Sequence, residues 1–207
     1  MVDSNTFEES HRFALLIGNA TYQHEINGAI PSPKPSAHES VDRMEMFFQR
    51  YGYDCVRMIE PTSEQVAQYL EDKAAFANSL NVTKSGDSTS GGMVLIVYYV
   101  GHGVIGSNLC EIVMSTEPQT PQTNQDEDAP QFDSIKASNP FPLEKLLRLH
   151  SAQNTQCYTI GIFDCGRELQ PDDDSWSDKP AVSEDQNLVL VFGCAPGKGI
   201  KEPSKIS

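Results

Sequence analysis

The chain of 207 residues is long enough to bury one substantial core without help from metals or disulfides. Asp and Glu outnumber Lys and Arg by 29 to 15, and the resulting net charge of −14 argues against nucleic acid and anionic membranes as partners. The apolar runs are too short to cross a bilayer. Five scattered cysteines without a CxxC pair predict reduced thiols in the cytoplasm rather than a zinc site.

Short apolar runs alternate with helical patterns along the first half of the chain. Residues 12–19 form an apolar run closed by Gly and Asn, which predicts a buried strand. A loop with three prolines follows, and apolar residues then recur with helical spacing from about residue 37. Residues 55–59 predict a second strand. A hydroxyl cap followed by an acid predicts a helix over about 63–79.

The second half opens on the strongest strand signal of the chain. Residues 93–100 are apolar without alternation, which is typical of a strand buried on both faces of a parallel sheet. Residues 110–114 are a candidate short strand. Polar residues and four prolines over 115–140 predict a variable, mobile loop. A short leucine-rich helix and two further strands, over 158–163 and 188–192, complete the pattern.

This order of elements predicts an α/β fold with a mostly parallel central sheet and helices on both faces. In such sheets ligands bind beyond the carboxyl ends of the strands. Three segments of chemical interest, at 101–103, 164–167 and 194–197, lie at such strand ends. The functional site is therefore expected at this edge of the sheet.

His102 is the candidate catalytic residue of this edge. It follows an apolar strand and stands between two glycines. A cysteine at the end of a neighbouring strand would complete a pair of nucleophile and base. From spacing alone, a histidine that merely caps a turn is the simpler alternative. We expect the strands over 12–17, 98–100 and 160–163 to be neighbours, which would place His102 near Gly166.

Three strings carry a resemblance to a known family: FALLIGNATY at 13–22, YYVGHG at 98–103 and IFDCGR at 162–167. In this order they resemble the caspase superfamily of cysteine peptidases, and are most similar to the large-subunit domain of paracaspases and metacaspases. The resemblance spans residues 12–197. It implies a caspase-like fold, cysteine endopeptidase activity on a protein or peptide substrate, and His102 as the family's histidine.

The resemblance also implies a nucleophile two residues after Asp164, and Gly166 occupies that position. Cys165 is one residue out of register and, at a strand end, would face the opposite side of the sheet. Three explanations stay open: an introduced Cys-to-Gly change that traps an inactive peptidase, a natural pseudoprotease that acts as a regulatory or scaffold domain, and a bulge that brings Cys165 into reach. Backbone N–H groups near Gly103 and position 166 would form the oxyanion region.

Acidic residues are implied for the first substrate pocket, where they select Arg or Lys. Asp164 is retained, and the matching helix position is Ser40, with Glu39 and Asp42 beside it. Lys198 stands where a third acid is typical. Cleavage after basic residues is expected over cleavage after Asp, in agreement with the sign of the net charge.

The resemblance divides the chain into an N-terminal extension at 1–11, the catalytic domain at 12–197 and a tail at 198–207, with the small-subunit portion absent. A separate small subunit or a dimer partner would cover the open sheet edge. No cofactor is expected, and acidic runs at 126–128 and 172–174 are the candidates for calcium, although such runs are usually solvated. A nucleotide-binding domain is disfavoured, because no GxGxxG follows the first strand and no GxxxxGK[ST] occurs.

Overall fold

The computed structural model describes residues 10–25, 30–82, 92–106, 109–115, 140–153, 157–166, 168–169 and 187–193. Its elements are, in chain order, β1 (His11–Gly18), α1 (Ser36–Arg50), β2 (Asp54–Ile59), α2 (Ser63–Val82), β3 (Met93–Gly101), β4 (Gly103–Gly106), β5 (Leu109–Ile112), α3 (Leu143–Gln153), β6 (Cys157–Cys165), β7 (Glu168–Leu169) and β8 (Leu188–Phe192). Within these residues, no helix combines the length and the apolar character that crossing a membrane requires.

Five strands form a parallel sheet in the order β2–β1–β3–β6–β8. β3 lies at its centre, and eight of its nine residues are buried. Burial on both faces explains why this strand shows no alternation of polar and apolar residues. The prediction that the first, His102-bearing and Gly166-bearing strands are neighbours is confirmed.

Helices cover both faces of the sheet, as the sequence predicts for this α/β fold. α1 packs on one face through Ala37, Val41 and Phe48, and we call this the α1 face. The apolar sides of α2 and α3 pack on the other, the α2–α3 face. Side chains alternate along β6, so that Ile162 faces α1 and Phe163 faces α2 and α3.

A second, smaller sheet follows His102 directly. β4 pairs antiparallel with β5 and parallel with β7. The sequence predicted a short strand near β5, but neither β4 nor β7, because the glycines at 101–106 indicated a turn. These residues also spell GxGxxG, yet they continue into a strand and not into the helix that a dinucleotide-binding loop requires.

Several sequence predictions fall outside the described residues. The predicted mobile loop begins at Ser115, which is buried and whose carbonyl accepts a hydrogen bond from Gln23 N–H at 3.0 Å. The loop from 116 to 139, the acidic run at 172–174 and the segment from 194 onward, with Lys198, lie beyond what the structure describes.

Candidate active site

β3 and β6 run side by side and end together at the carboxyl edge of the sheet. Their register pairs Gly101 with Cys165, so the residues that directly follow the two strands are His102 and Gly166. A Cβ on Gly103 would lie 2.6 Å from the Gly166 carbonyl oxygen and 2.7 Å from Cys165 Sγ. His102 and Gly166 are therefore neighbours, and only glycine fits at position 103 without a shift of the backbone.

The His102 side chain is held in a defined orientation. Its Nε2 lies 2.8 Å from the carbonyl oxygen of Ser32, in the loop before α1. Because a carbonyl oxygen only accepts hydrogen bonds, Nε2 carries the proton, and the lone pair of the neutral ring lies on Nδ1. The Tyr22 ring meets the imidazole edge-on, with 4.9 Å between ring centroids. The imidazole thus has the tautomer and the fixed orientation of a general base.

Two buried tyrosines fix the backbone around His102. The His102 N–H donates to Tyr22 Oη at 2.8 Å, and the Tyr22 hydroxyl donates to the Asn19 carbonyl at 2.9 Å. The Tyr99 hydroxyl donates to the His102 carbonyl at 2.7 Å. Burial raises the pKa of both phenols, so they stay protonated. A Cβ on Gly101 would collide with both hydroxyls, which explains the glycine before the histidine.

The Cys165 thiol points into the core on the α2–α3 face. The residue is fully buried, and its Sγ lies 4.0 Å from Sγ of Cys110 on β5. The β3–β6 register is unbroken up to Cys165, so no bulge turns this side chain towards His102. Because side chains alternate along a strand, position 166 lies on the side of the sheet opposite to Cys165.

Two of the predicted pocket residues meet at Tyr98, on the α1 face. The Tyr98 hydroxyl donates to Asp164 Oδ2 at 3.2 Å and is also hydrogen-bonded to the Ser40 side chain. Burial raises the pKa of Tyr98, and the charge of Asp164 raises it further. The phenol therefore stays a donor and orients the carboxylate at the end of β6.

The other two predicted pocket residues have partners elsewhere. Glu39 pairs with Arg43 one turn further along α1. Asp42 pairs with Arg57 on β2, with 2.7 Å between Oδ1 and Nη1. Neither carboxylate joins the group around the Tyr98 hydroxyl, so the structure does not bring them together with the retained acid of the pocket.

The chain is similar to a known protein family over most of its length. A family model described as Peptidase_C14, caspase domain, matches residues 11–203. The chain belongs to the caspase domain family. No curated protein shows a significant match to it. Family membership agrees with the superfamily resemblance and supports a function of the cysteine-peptidase type.

This caspase domain has a further residue at the same edge that sequence reasoning missed. Glu60 follows β2 with a left-handed φ of 52°, which is uncommon for a residue with a side chain. Its Oε1 accepts hydrogen bonds from the backbone N–H groups of Ala20 at 2.9 Å and Thr21 at 3.1 Å, and lies 3.3 Å from His38 Nε2. It thereby fixes the loop that carries Tyr22. An isolated acid after a strand has no periodic or motif signal.

One carboxyl group near the site titrates close to neutrality. Glu111 lies on β5. Its backbone oxygen would be 3.3 Å from a Cβ on Gly103. Burial raises the pKa of the Glu111 side chain to about 7, although the charge of Lys145 opposes the shift. This group therefore changes charge within the physiological range of pH.

No metal site is apparent in the part of the chain that the structure describes. No group of three or more His, Cys, Asp or Glu side chains there is arranged to hold an ion. The acidic runs that were candidates for calcium lie outside that part. Calcium binding by these runs therefore stays a prediction.

Proposed function

We propose that the chain is a caspase-like cysteine endopeptidase domain in a form that lacks its nucleophile. In this proposal His102 is the general base, position 166 is the place of the nucleophile, and N–H groups at Gly103 and position 166 surround the oxyanion. The observation that carries it is the His102 imidazole, which Ser32 orients through Nε2 beside a position without a side chain.

The chemistry of the site follows from the imidazole tautomer. With a cysteine at 166, its thiol proton would pass to Nδ1 of His102, and the thiolate would attack the scissile carbonyl carbon. The imidazolium would return the proton to the leaving amine, and water would hydrolyse the thioester. With Gly166 no sulfur atom is present to form that thioester. The chain with Gly166 therefore binds peptide at this edge without cleaving it.

Preference for a basic side chain before the scissile bond is part of the proposal. It rests on Asp164, whose carboxylate Tyr98 orients, and on the net charge of −14. Ser40 lies at the same phenol and adds a hydroxyl rather than a second charge. One carboxylate instead of two or three gives a weaker attraction for Arg and Lys, without favouring an acidic side chain.

Restoration of the nucleophile tests this function. Gly166→Cys should react covalently with a peptidyl acyloxymethyl ketone that carries Arg or Lys next to the warhead, and less with the Asp analogue. Adding His102→Ala should suppress the reaction, whereas adding Cys165→Ser should not, because Cys165 is buried on the other face. Strong labelling of the unaltered chain at Cys165 would show that the nucleophile was assigned one residue too late.

The second candidate function is a pseudoprotease that binds peptide as a regulatory or scaffold domain. The unbroken strand register beside a well-anchored His102 favours it, because the edge is ordered even without a nucleophile. Fluorescence anisotropy of the unaltered chain with an Arg-containing peptide, compared with Asp164→Asn, measures such binding. Binding that persists while Gly166→Cys fails to react with any warhead would select this function.

A partner at β8 belongs to the same proposal. Among the described strands β8 pairs only with β6, and Val189 and Val191 are 55% and 48% exposed. A separate small subunit or a dimer partner would cover this edge. Val191→Lys should then shift the chain to a smaller species in analytical ultracentrifugation, and an unchanged monomer in both forms would contradict self-association.

A further inference from the structure

A groove of about 650 Å³ runs along the opposite edge of the sheet, between β2 and α2. Its strand side includes Arg57 and Ile59, and its helix side includes Glu64, Tyr69 and Asp72. We propose that this groove binds an extended basic peptide, which adds to β2 as a further strand. The groove is separate from the candidate active site, and the proposal does not depend on peptidase activity.

The backbone of β2 presents unused hydrogen-bonding groups to the groove. Among the described strands, β2 pairs with β1 alone. The N–H of Glu60 donates to the Gly18 carbonyl on β1 at 3.0 Å. Because backbone groups of successive residues point to opposite sides of a strand, those of Arg57 and Ile59 point away from β1. An edge of this kind is a template on which an extended peptide can pair.

The charges around the groove select a basic peptide. Glu64 is exposed at the start of α2, and Asp72 lies two turns further along with an amide hydrogen bond from Gln68 at 3.0 Å. Arg57, which lines the groove, is already paired with Asp42, and the Lys73 ammonium beside Tyr69 lies over the Phe13 ring. The helix wall therefore offers two carboxylates to Lys or Arg side chains of an added strand.

One residue that lines the groove, Tyr69, has a hydroxyl for which the described part of the fold supplies no partner. The Tyr69 hydroxyl is buried and has no hydrogen-bond partner in the described part of the chain. Burial raises the pKa of Tyr69, so the phenol keeps its proton. A second copy of this chain fits this groove poorly, because a copy with a net charge of −14 does not complement the carboxylates of the helix wall.

The test uses the intact chain and a fluorescein-labelled heptapeptide with lysine at the odd positions and valine or threonine at the even positions. Fluorescence anisotropy at low salt should show binding that weakens as salt is added. The same peptide with an N-methyl group on every residue should not bind, because no backbone N–H remains to donate to a strand edge. The glutamate analogue should not bind either, because its charges oppose those of the helix wall.

A matched pair of variants places the peptide on β2. Arg57→Pro removes an outward N–H, whereas Arg57→Ala removes the same side chain and keeps that N–H. We expect Arg57→Ala to bind the lysine peptide at least as well as the unaltered chain, and Arg57→Pro to bind it about ten-fold more weakly. Glu64→Gln combined with Asp72→Asn should weaken binding several-fold and flatten its dependence on salt.

Three results would overturn the proposal: equal binding by the two Arg57 variants, equal binding of the N-methylated peptide, or loss of binding in Asp164→Asn, which would place the peptide in the active-site cleft. If Arg57→Pro unfolds, as circular dichroism would show, the N-methylated peptide on the unaltered chain decides the question.

Discussion

The ends of β3 and β6 lie side by side, yet they are built differently. At the end of β3, the backbone N–H and the ring of His102 have partners on distant segments, and its carbonyl accepts a hydrogen bond from Tyr99 of the same strand. At the end of β6, Gly166 has no side chain and Cys165 is turned into the core. In the proposed site, the base half, at His102, is therefore specified by many contacts, whereas the nucleophile half, at Gly166, depends on the identity of one residue.

The point where the two halves touch should be the most sensitive to substitution. Gly103→Ala would place its Cβ 2.6 Å from the Gly166 carbonyl oxygen, and a strand backbone cannot move aside easily. We expect the free energy of unfolding in urea to fall by about 3 kcal/mol or more. Gly101→Ala, whose Cβ meets the ends of tyrosine side chains, should cost less. A Gly103→Ala chain as stable as the unaltered one would show that the halves are not tightly packed.

A pair of tyrosine substitutions compares the two halves directly. Tyr22→Phe leaves the N–H of His102 and the carbonyl of Asn19 without this partner, and should lower the free energy of unfolding by about 2 kcal/mol. Tyr98→Phe removes only the hydroxyl that orients a partly exposed Asp164, and should cost about 1 kcal/mol or less. The reverse order, measured by urea denaturation, would contradict a base half that is held more firmly.

Glu111, on β5, should make stability depend on pH. Its pKa is raised from 4.5 to about 7 in the folded chain, so the fold binds this proton more tightly than the unfolded chain does. The stabilisation is complete below pH 4.5 and is lost as pH rises through 7. Glu111→Gln should therefore gain stability relative to the unaltered chain between pH 5 and pH 8.

The expected relative gain is about 1–2 kcal/mol, less than the full shift would give, because the carboxyl group is partly exposed. Urea denaturation of both chains at the two pH values measures it. A difference between the chains that does not change with pH would show that the carboxyl group titrates normally. Lys145→Ala removes the opposing charge, and its stability should then fall by more between pH 5 and pH 8 than that of the unaltered chain.

Local patterns carried the prediction of the site a long way. Apolar runs that stop at glycine marked β1, β3 and β6, and a parallel sheet brings the ends of such strands to one edge. The adjacency of His102 and Gly166 and the inward turn of Cys165 then followed from the strand order and the alternation of side chains. Both depend on backbone geometry that is the same in every such sheet.

The partners of the site residues could not be predicted in the same way. Glu60 meets a backbone group 40 residues earlier in the chain, and the Asn19 amide donates to a carbonyl 94 residues later. Whether Glu39 and Asp42 face a pocket or pair with arginines depends on where β2 and the exposed side of α1 come to lie. Spacing along the chain contains no information about such contacts between distant residues.

The sequence by itself determined the class of the fold and the edge of the sheet at which His102 and Gly166 meet, because both follow from residue identity and local periodicity. Only the tertiary structure decided the tautomer of His102, the hydrogen bonds of Asp164 and Ser40 to the Tyr98 hydroxyl, and the open edge of β2 beside an acidic helix wall. These features arise from hydrogen bonds and close packing between distant segments, and the geometry of such contacts exists only after the chain has folded.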